Sequence, residues 1–498
     1  MTRRVEVAVV GAGFAGIAAA LALQAAGRDS FVVLERADAV GGTWRDNTYP
    51  GVACDVPSHL YALAGHAHPD WSGVFARGDE IRKYLEGVVA AEGLGDRLLL
   101  RTPLDAAVWD DGEELWILET GGTRIEAEAL VLACGRLTEP RIPEIPGLEG
   151  FPGPLFHSAR WDHSVALAGA RVAVVGTGAS AVQLAPEAAR SAASVTLFQR
   201  TPAWIVPRGA HAYTREERRR LAAPGALDAL RAELYAEGEQ RFASRSGDAD
   251  AAAAARAVAL AHLEAHVADP ALRAALTPDY AFGCKRVLLS DDFYPALASG
   301  VVRLEASALA GVEGSTLVAA SGARHEADVL VLATGFEASR QPYATLVRGE
   351  GGVTLDAHWA TGMTSFASTV VAGFPNLFVL NGPNASLGHN SAVLMMEEQT
   401  AYAMRALAFR DARGGAPLRL RPEAEAAYTR EIDAAAAGTP WVAGGCRNWY
   451  VDDRSGRLTL LWPGTVDAFR ERLARADGSE FRPVPERVRP GCADGEAA

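Results

Sequence analysis

Two glycine-rich runs carry the residues whose spacing suits the binding of a nucleotide pyrophosphate. In the first, Gly11, Gly13 and Gly16 follow the apolar run VEVAVV, and the later run SFVVLE ends in Glu35. In the second, Gly176, Gly178 and Ala181 follow ARVAVV, and SVTLFQR ends in Arg200. The first glycine of such a run permits a tight turn and the second lets backbone N–H groups approach a pyrophosphate. The third permits close helix–strand packing, with the helix N-terminus facing the anion. Phe14 and Ala15 in the first run, and Thr177, Ala179 and Ser180 in the second, complete the two turns. From first glycine to strand-end residue the separation is 24 in both runs, Gly11 to Glu35 and Gly176 to Arg200.

The strand ends of the two runs differ in their chemistry. Glu35, followed by Arg36, is placed to accept from a ribose 2′-hydroxyl, whereas a carboxylate at Arg200 would repel a 2′-phosphate. A guanidinium there, followed by Thr201, can bind that phosphate through two hydrogen bonds. Unit one therefore reads as an FAD site and unit two as an NADPH site. On residue type alone, a plain surface salt bridge also suits Arg200.

The elements that hold these residues follow the same duplication. VEVAVV reads as a parallel strand buried on both faces, and AGIAAALALQAAG as a helix closed by Gly27. EALVLACG, ending in Gly135, and DVLVLATG, ending in Gly335, read as the strands that return to each sheet. Gly11 to Gly135 spans 124 residues and Gly176 to Gly335 spans 159, so the second unit carries 35 more. That surplus is assigned to an alanine-rich helical stretch broken near Ser246, in which TREERRR is a solvated helix face. TEPRIPEIPGLEGFPG reads as a linker. After Gly335 no third nucleotide signature appears, and the chain is expected to cross back to finish the first unit. There FPNLFVLNGPNASLGHNSAVLMMEEQ gives a strand, a turn and a helix beginning near Ser391, with Met395 and Met396 as core filler.

The expected fold class is α/β, with two Rossmann-like dinucleotide-binding domains, the FAD domain discontinuous and a helical insertion in the NADPH domain. The expected division is 1–150 for the first part of the FAD domain and 151–335 for the NADPH domain, with the insertion at about 210–280. Residues 336–498 then form the second part of the FAD domain and a C-terminal segment.

The bulk numbers narrow the function classes. With 498 residues the chain has room for two or three cores, and its net charge of −13 argues against nucleic-acid or anionic-membrane partners. The five cysteines are scattered with no CxxC pair, which argues against a disulfide framework or a zinc site. MTRRVEVAVV runs straight into a strand, no apolar stretch approaches a membrane span, and the tail RPGCADGEAA offers no anchor. A soluble cytoplasmic protein acting on small molecules is expected. Only Lys83 and Lys285 are lysine among the basic residues.

The linker region ends in Phe151, Gly153, His157, Ser158, Trp161 and Asp162, which satisfy F-x-G-x-x-x-H-[ST]-x-x-W-[PD]. This resembles the fingerprint of type I Baeyer–Villiger monooxygenases, FAD enzymes that use NADPH and O2 to turn ketones into esters or lactones. GGTWRDNTYPGVACD matches a second pattern of flavin monooxygenases through Gly42, Trp44, Tyr49, Pro50, Gly51 and Asp55. The resemblance implies that Thr43 and Trp44 border the flavin and that Asp55 and Tyr61 lie near its ring. By residue type alone, Trp44 also suits a core aromatic and Asp55 a turn cap. After Tyr61 the chain departs from many relatives, reading ALAGHAHPDW.

The resemblance further makes Arg286 the active-site arginine, oriented by Asp55, and sets Lys285 on the NADPH phosphate or ribose. It sets Gly382, Pro383 and Asn384 beside the flavin ring, and Trp449 over the nicotinamide ribose, with Asn448 where relatives carry serine. The reaction it implies is hydride transfer from NADPH to FAD, formation of a peroxyflavin with O2, and attack on a ketone carbonyl. His157 is expected to order the linker rather than act as a base. The nearest rival is a flavin monooxygenase that oxygenates nitrogen or sulfur, whose related fingerprint ends in Tyr or Phe where Trp161 stands. A non-oxygenating flavoprotein reductase ranks third, since it would want a CxxC pair.

Overall fold

The computed structural model describes residues 2–483, so the expectation for the tail RPGCADGEAA lies outside the described residues. TRRVEVAVV forms the strand Thr2–Val10, followed at once by the helix Phe14–Ala25. Val7, Ala8 and Val9 are fully buried, as a strand covered on both faces requires. Its parallel neighbours are Phe31–Leu34 on one side and Thr123–Leu132 on the other. The second half repeats the arrangement, with Arg171–Val175 parallel between Ser194–Phe198 and Val329–Leu332. The third glycine of the first run is forced by packing, because a Cβ on Gly16 would lie 1.8 Å from the Gly11 carbonyl oxygen.

Each half inserts antiparallel strands before its return strand. In the first, Ala106–Asp110 and Leu115–Thr120 extend the main sheet through Thr123–Leu132. In the second, Leu309–Glu313, Thr316–Ala319 and Arg324–Glu326 form a separate three-stranded sheet. The surplus of the second half is helical: Arg215–Leu221, Ala226–Arg241, Ala249–His266 and Pro270–Leu276. The first of these carries TREERRR, is started by a Thr214–Glu217 capping box and buries none of its residues.

The chain then returns to the first sheet. Leu377–Val379 pairs parallel with Thr123–Leu132, and Val347–Arg348 with Ala106–Asp110, so that sheet is built from both ends of the sequence. Ala392–Ala412 starts at Ser391, whose hydroxyl accepts from the Val393 N–H, and packs against Phe14–Ala25. Met395 and Met396 are buried in that contact with Ile17 and Leu23. No helix among the described residues is long and apolar enough to cross a membrane.

Candidate functional site

Gly13 starts the helix Phe14–Ala25 and Gly42 starts the short helix Thr43–Asp46. A Cβ on Gly42 would lie 3.1 Å from Gly13 Cα, so the two turns meet backbone to backbone. Glu35, 4% exposed, accepts from the Ala12 and Ala37 N–H groups at 2.9 Å each and pairs with Arg45 at 2.9 Å. Its Oε2 takes only the Ala12 bond and keeps a lone pair for a ribose hydroxyl. Tyr61 packs edge-on against Phe14 at 4.9 Å and Trp44 at 5.7 Å, and the Trp44 Nε1–H donates to its hydroxyl at 3.3 Å. A glycine-lined turn, a carboxylate at the strand end and an aromatic wall fit FAD. Ala15 and Gly16 are buried beneath the turn. Arg36 pairs with Glu139 at 2.6 Å and so holds the linker.

Gly135 ends the return strand with φ of +72°. Gly382 approaches Val379 so closely that a Cβ would lie 2.6 Å from its side chain, and Pro383 beside it is buried. Asn384 is 4% exposed, and its Nδ2 donates to the Leu458 and Leu461 carbonyls at 2.7 and 2.9 Å. Its backbone N–H goes to Thr459 O at 2.9 Å. Asn384 therefore fixes the turn to the C-terminal segment and has no donor left for a flavin.

In the second unit Gly178 starts the helix Ala179–Ala188, with Ser180 in its first turn and Ala181 fully buried where the first unit has Gly16. The Thr177 hydroxyl donates to Thr201 O at 2.9 Å, joining the turn to the strand-end segment. Arg200 is exposed. The Lys285 ammonium lies 4.9 Å from the Tyr280 ring. Burial lowers its pKa, and the charge of Arg200 lowers it further, so the two cations are neighbours. That pair fits the 2′-phosphate of NADPH. Gly335, with φ of +85°, closes the unit, and its carbonyl accepts from Arg141 at 2.8 Å.

The two halves meet through the second motif. The Tyr49 hydroxyl donates to Gln183 Oε1 at 2.9 Å, and Gln183 Nε2 donates to Ala53 O at 2.9 Å. A Cβ on Gly51 would lie 2.9 Å from Gln183 O and 2.7 Å from Glu187 Cγ, with φ at +83°. Just beyond, Arg286 of the second half donates through Nε (2.9 Å) and Nη2 to Asp55 Oδ2 of the first. Burial alone would push the Asp55 carboxyl up; the Arg286 guanidinium holds it below its ordinary value. The Asp55 charge in turn raises the pKa of Arg286.

The residues of the linker fingerprint build structure. Leu155–His157 is the edge strand of the second sheet, parallel to Val329–Leu332. Phe151 is buried, and a Cβ on Gly153 would lie 2.2 Å from Asp328 O. His157 Nδ1 accepts from the Ala159 N–H at 3.1 Å, and burial, then Arg160, lowers its pKa to about 4. Ser158 is buried, Trp161 packs edge-on to Phe156 at 5.0 Å, and Asp162 accepts from Ser164 in an exposed turn.

One expectation is overturned. Cys284 and Cys446, 162 residues apart, form a disulfide, which the scattered cysteines argued against. Spacing along the chain does not show that residues 281–284 lie along residues 444–446, joined also by Ala281 N–H to Gly444 O at 3.1 Å. Cys284 is fully buried, whereas Cys446 is partly exposed. The bond ties the segment carrying Arg286 to the segment carrying Trp449. Asn448 shapes that second segment, its Oδ1 accepting from the Tyr450 and Val451 N–H groups at 2.9 and 3.2 Å. Trp449 is 36% exposed and packs on Tyr450 at 4.5 Å.

Sequence reasoning passed over four residues here. Arg208 donates to Cys54 O at 2.7 Å beside Asp55, and Tyr450 is buried near Arg286. Arg136 and Arg245 are 8% and 9% exposed in the same region. Only Arg136 carried a signal, as the residue directly after the glycine that ends a return strand.

The family described as Pyridine nucleotide-disulphide oxidoreductase matches residues 8–214. Over 97% of its length the chain is 44% identical to a protein of Streptomyces coelicolor named Baeyer-Villiger monooxygenase, covering 94% of that relative. A protein of the same name from Pseudomonas aeruginosa is 39% identical over 96% of this chain and 91% of its own. Among solved structures, an oxidized steroid monooxygenase bound to NADP superposes with a TM-score of 0.84 at 29% identity, covering 96% of this chain and 99% of that one. A closed cyclohexanone monooxygenase gives 0.85 at 27%, covering 97% and 99%.

Proposed function

The chain belongs to the Baeyer–Villiger monooxygenase family, an enzyme using FAD and NADPH, and from that premise we propose that Arg286, held by Asp55, is its catalytic cation. FAD bound there would supply hydride acceptance from NADPH and the activation of O2 that attack on the ketone carbonyl requires. The observation that carries the assignment is the Asp55–Arg286 pair, which bridges the two dinucleotide-binding halves.

A Baeyer–Villiger insertion accumulates negative charge on oxygen as the carbonyl is attacked. Arg286 keeps its proton through the reaction and offers further N–H donors to that charge once Asp55 has fixed two of them. Asp55 is thus a positioning residue. Arg200 and Lys285 hold the 2′-phosphate of NADPH, and Glu35 the ribose of FAD. Trp449 covers the nicotinamide end and excludes water, and the Cys284–Cys446 bond keeps its segment against the Arg286 loop. The substrate is a small-molecule ketone, and the reading places the protein in the cytoplasm, where NADPH is regenerated. Purified enzyme supplied with NADPH, O2 and a panel of ketones, a thioether and an amine tests this reading. Esters or lactones as the main products support it; oxygenation of sulfur or nitrogen alone defeats it.

A further inference from the structure

Arg136 and Arg245 stand apart from the other arginines of the site. Arg286 has Asp55, whereas neither Arg136 nor Arg245 meets a carboxylate among the described residues, and both are at least nine-tenths buried. Arg136 donates through Nη1 to Asn381 Oδ1 and through Nη2 to Ser386 Oγ, both neutral acceptors, while its buried Nε has no partner. Arg245 donates through Nη1 to Gly388 O. The turn that follows the Leu377–Val379 strand thus holds both side chains. Arg245 also packs on Gly283, where a Cβ would lie 3.4 Å from its Cγ, three residues before Arg286. Tyr450, 2% exposed, neighbours all three guanidiniums.

The charges do not cancel. Arg208 also lies near Asp55 but has Asp291 and Asp292 of its own. That leaves Arg136, Arg245 and Arg286 with Asp55, since burial keeps the phenols of Tyr61, Tyr343 and Tyr450 neutral by pushing their pKa values up. The reacting ends of the two cofactors bring opposite charges, an anionic reduced flavin and a cationic oxidised nicotinamide, and leave that excess in place. Burial, and then the charge of Arg286, lowers the pKa of both Arg136 and Arg245 to about 10. A guanidinium stays charged even so, and a buried cation without a counter-ion is costly unless an anion arrives.

We propose that the site selects ketones bearing a carboxylate, which Arg136 and Arg245 bind beside the carbonyl held at Arg286. The proposal rests on the ketone-oxygenation reading and deepens it. A planar carboxylate matches the paired N–H donors of a guanidinium, and in this water-poor setting such charge-assisted bonds are strong.

Levulinate and its primary amide, levulinamide, differ in charge at nearly equal size and test this on the holoenzyme. The expected result is a kcat/KM for levulinate at least about tenfold above that for levulinamide, as one charge-assisted contact supplies. In Arg136→Met and Arg245→Met that ratio falls toward one, while Arg136→Lys, which keeps the charge, retains most of it. Pentanoate, which has no carbonyl to oxidise, gives a readout apart from turnover. Calorimetry should show it binding the wild-type holoenzyme, at least about tenfold more weakly after either Met substitution. A wild type that converts levulinamide as well as or better than levulinate overturns the proposal and leaves the ketone reaction standing. If neither is converted by an enzyme that oxygenates other ketones, this proposal falls and the ketone reaction stands. If no ketone of the panel is converted, the ketone reading itself falls, and absent pentanoate binding overturns this proposal independently. Loss of flavin from Arg136→Met with the acid preference unchanged in the flavin-loaded fraction also overturns it, because the guanidinium then serves the cofactor.

Discussion

Asp55 and Arg286 lie 231 residues apart, one in each dinucleotide-binding half, and a single carboxylate oxygen of Asp55 receives both Nε and Nη2 of Arg286. The Arg286 guanidinium is therefore positioned by the docking of the halves. Replacing Arg286 with Ala should leave NADPH reduction of the flavin working and lower ester formation by about a hundredfold or more, the loss expected for one donor to a developing oxyanion. Stopped-flow reduction together with product chromatography measures both. Ester formation retained at wild-type rate would remove Arg286 from the mechanism.

Arg200 and Lys285 are neighbouring cations at the end of the second unit. Arg200→Ala should lower kcat/KM for NADPH by roughly ten- to a hundredfold and leave NADH little changed, because only the former carries the 2′-phosphate. Steady-state kinetics with both nucleotides decides it. An unchanged NADPH/NADH ratio would show that Arg200 does not read the phosphate.

Gly51 sits where the halves touch, at φ of +83° and 2.9 Å (as a virtual Cβ) from Gln183 O. Gly65 has a similar φ of +76° and nothing within 4 Å of a Cβ. Gly65→Ala should cost about 1–2 kcal/mol from backbone strain alone, and Gly51→Ala about 1–3 kcal/mol more from overpacking. Denaturant unfolding of the two variants separates the terms. Equal losses would mean that the inter-half contact yields freely.

His157 is held neutral in the fold, its pKa lowered to about 4 by burial and by Arg160, against an ordinary value near 6.5. Between those values the unfolded chain binds the proton and the folded chain does not. The contribution of His157 is therefore fully present above about pH 6.5 and is lost as pH falls toward 4. In His157→Gln, the fall of Tm over that window should be shallower than in wild type, as followed by thermal unfolding at stepped pH. Parallel profiles would mean that His157 takes up its proton equally in both states.

Much of the fold was legible because its signals are local. Apolar runs followed by glycines mark Thr2–Val10 and Arg171–Val175 as the central strands, and the same spacing sets Glu35 and Arg200 at equivalent strand ends. The cysteine reading failed at Cys284 and Cys446 for the complementary reason, since neither residue's neighbours in sequence announce the segment it faces. Asn384 was placed beside a ring by its motif, and its actual bonds to residues 458–461 follow from a chain reversal that no motif encodes.

The sequence by itself determined which chemistry is available: two pyrophosphate turns, with a carboxylate and a guanidinium at equivalent strand ends. Periodicity and spacing along the chain suffice for these, because each depends on residues within one strand–turn–helix unit. Only the tertiary structure decided which charges end up together. Arg136, Arg245 and Arg286 come from the linker start, the helical insertion and the loop after it, and are brought together around Asp55. Electrostatic balance depends on distance through space and on the exclusion of water, and chain order records neither.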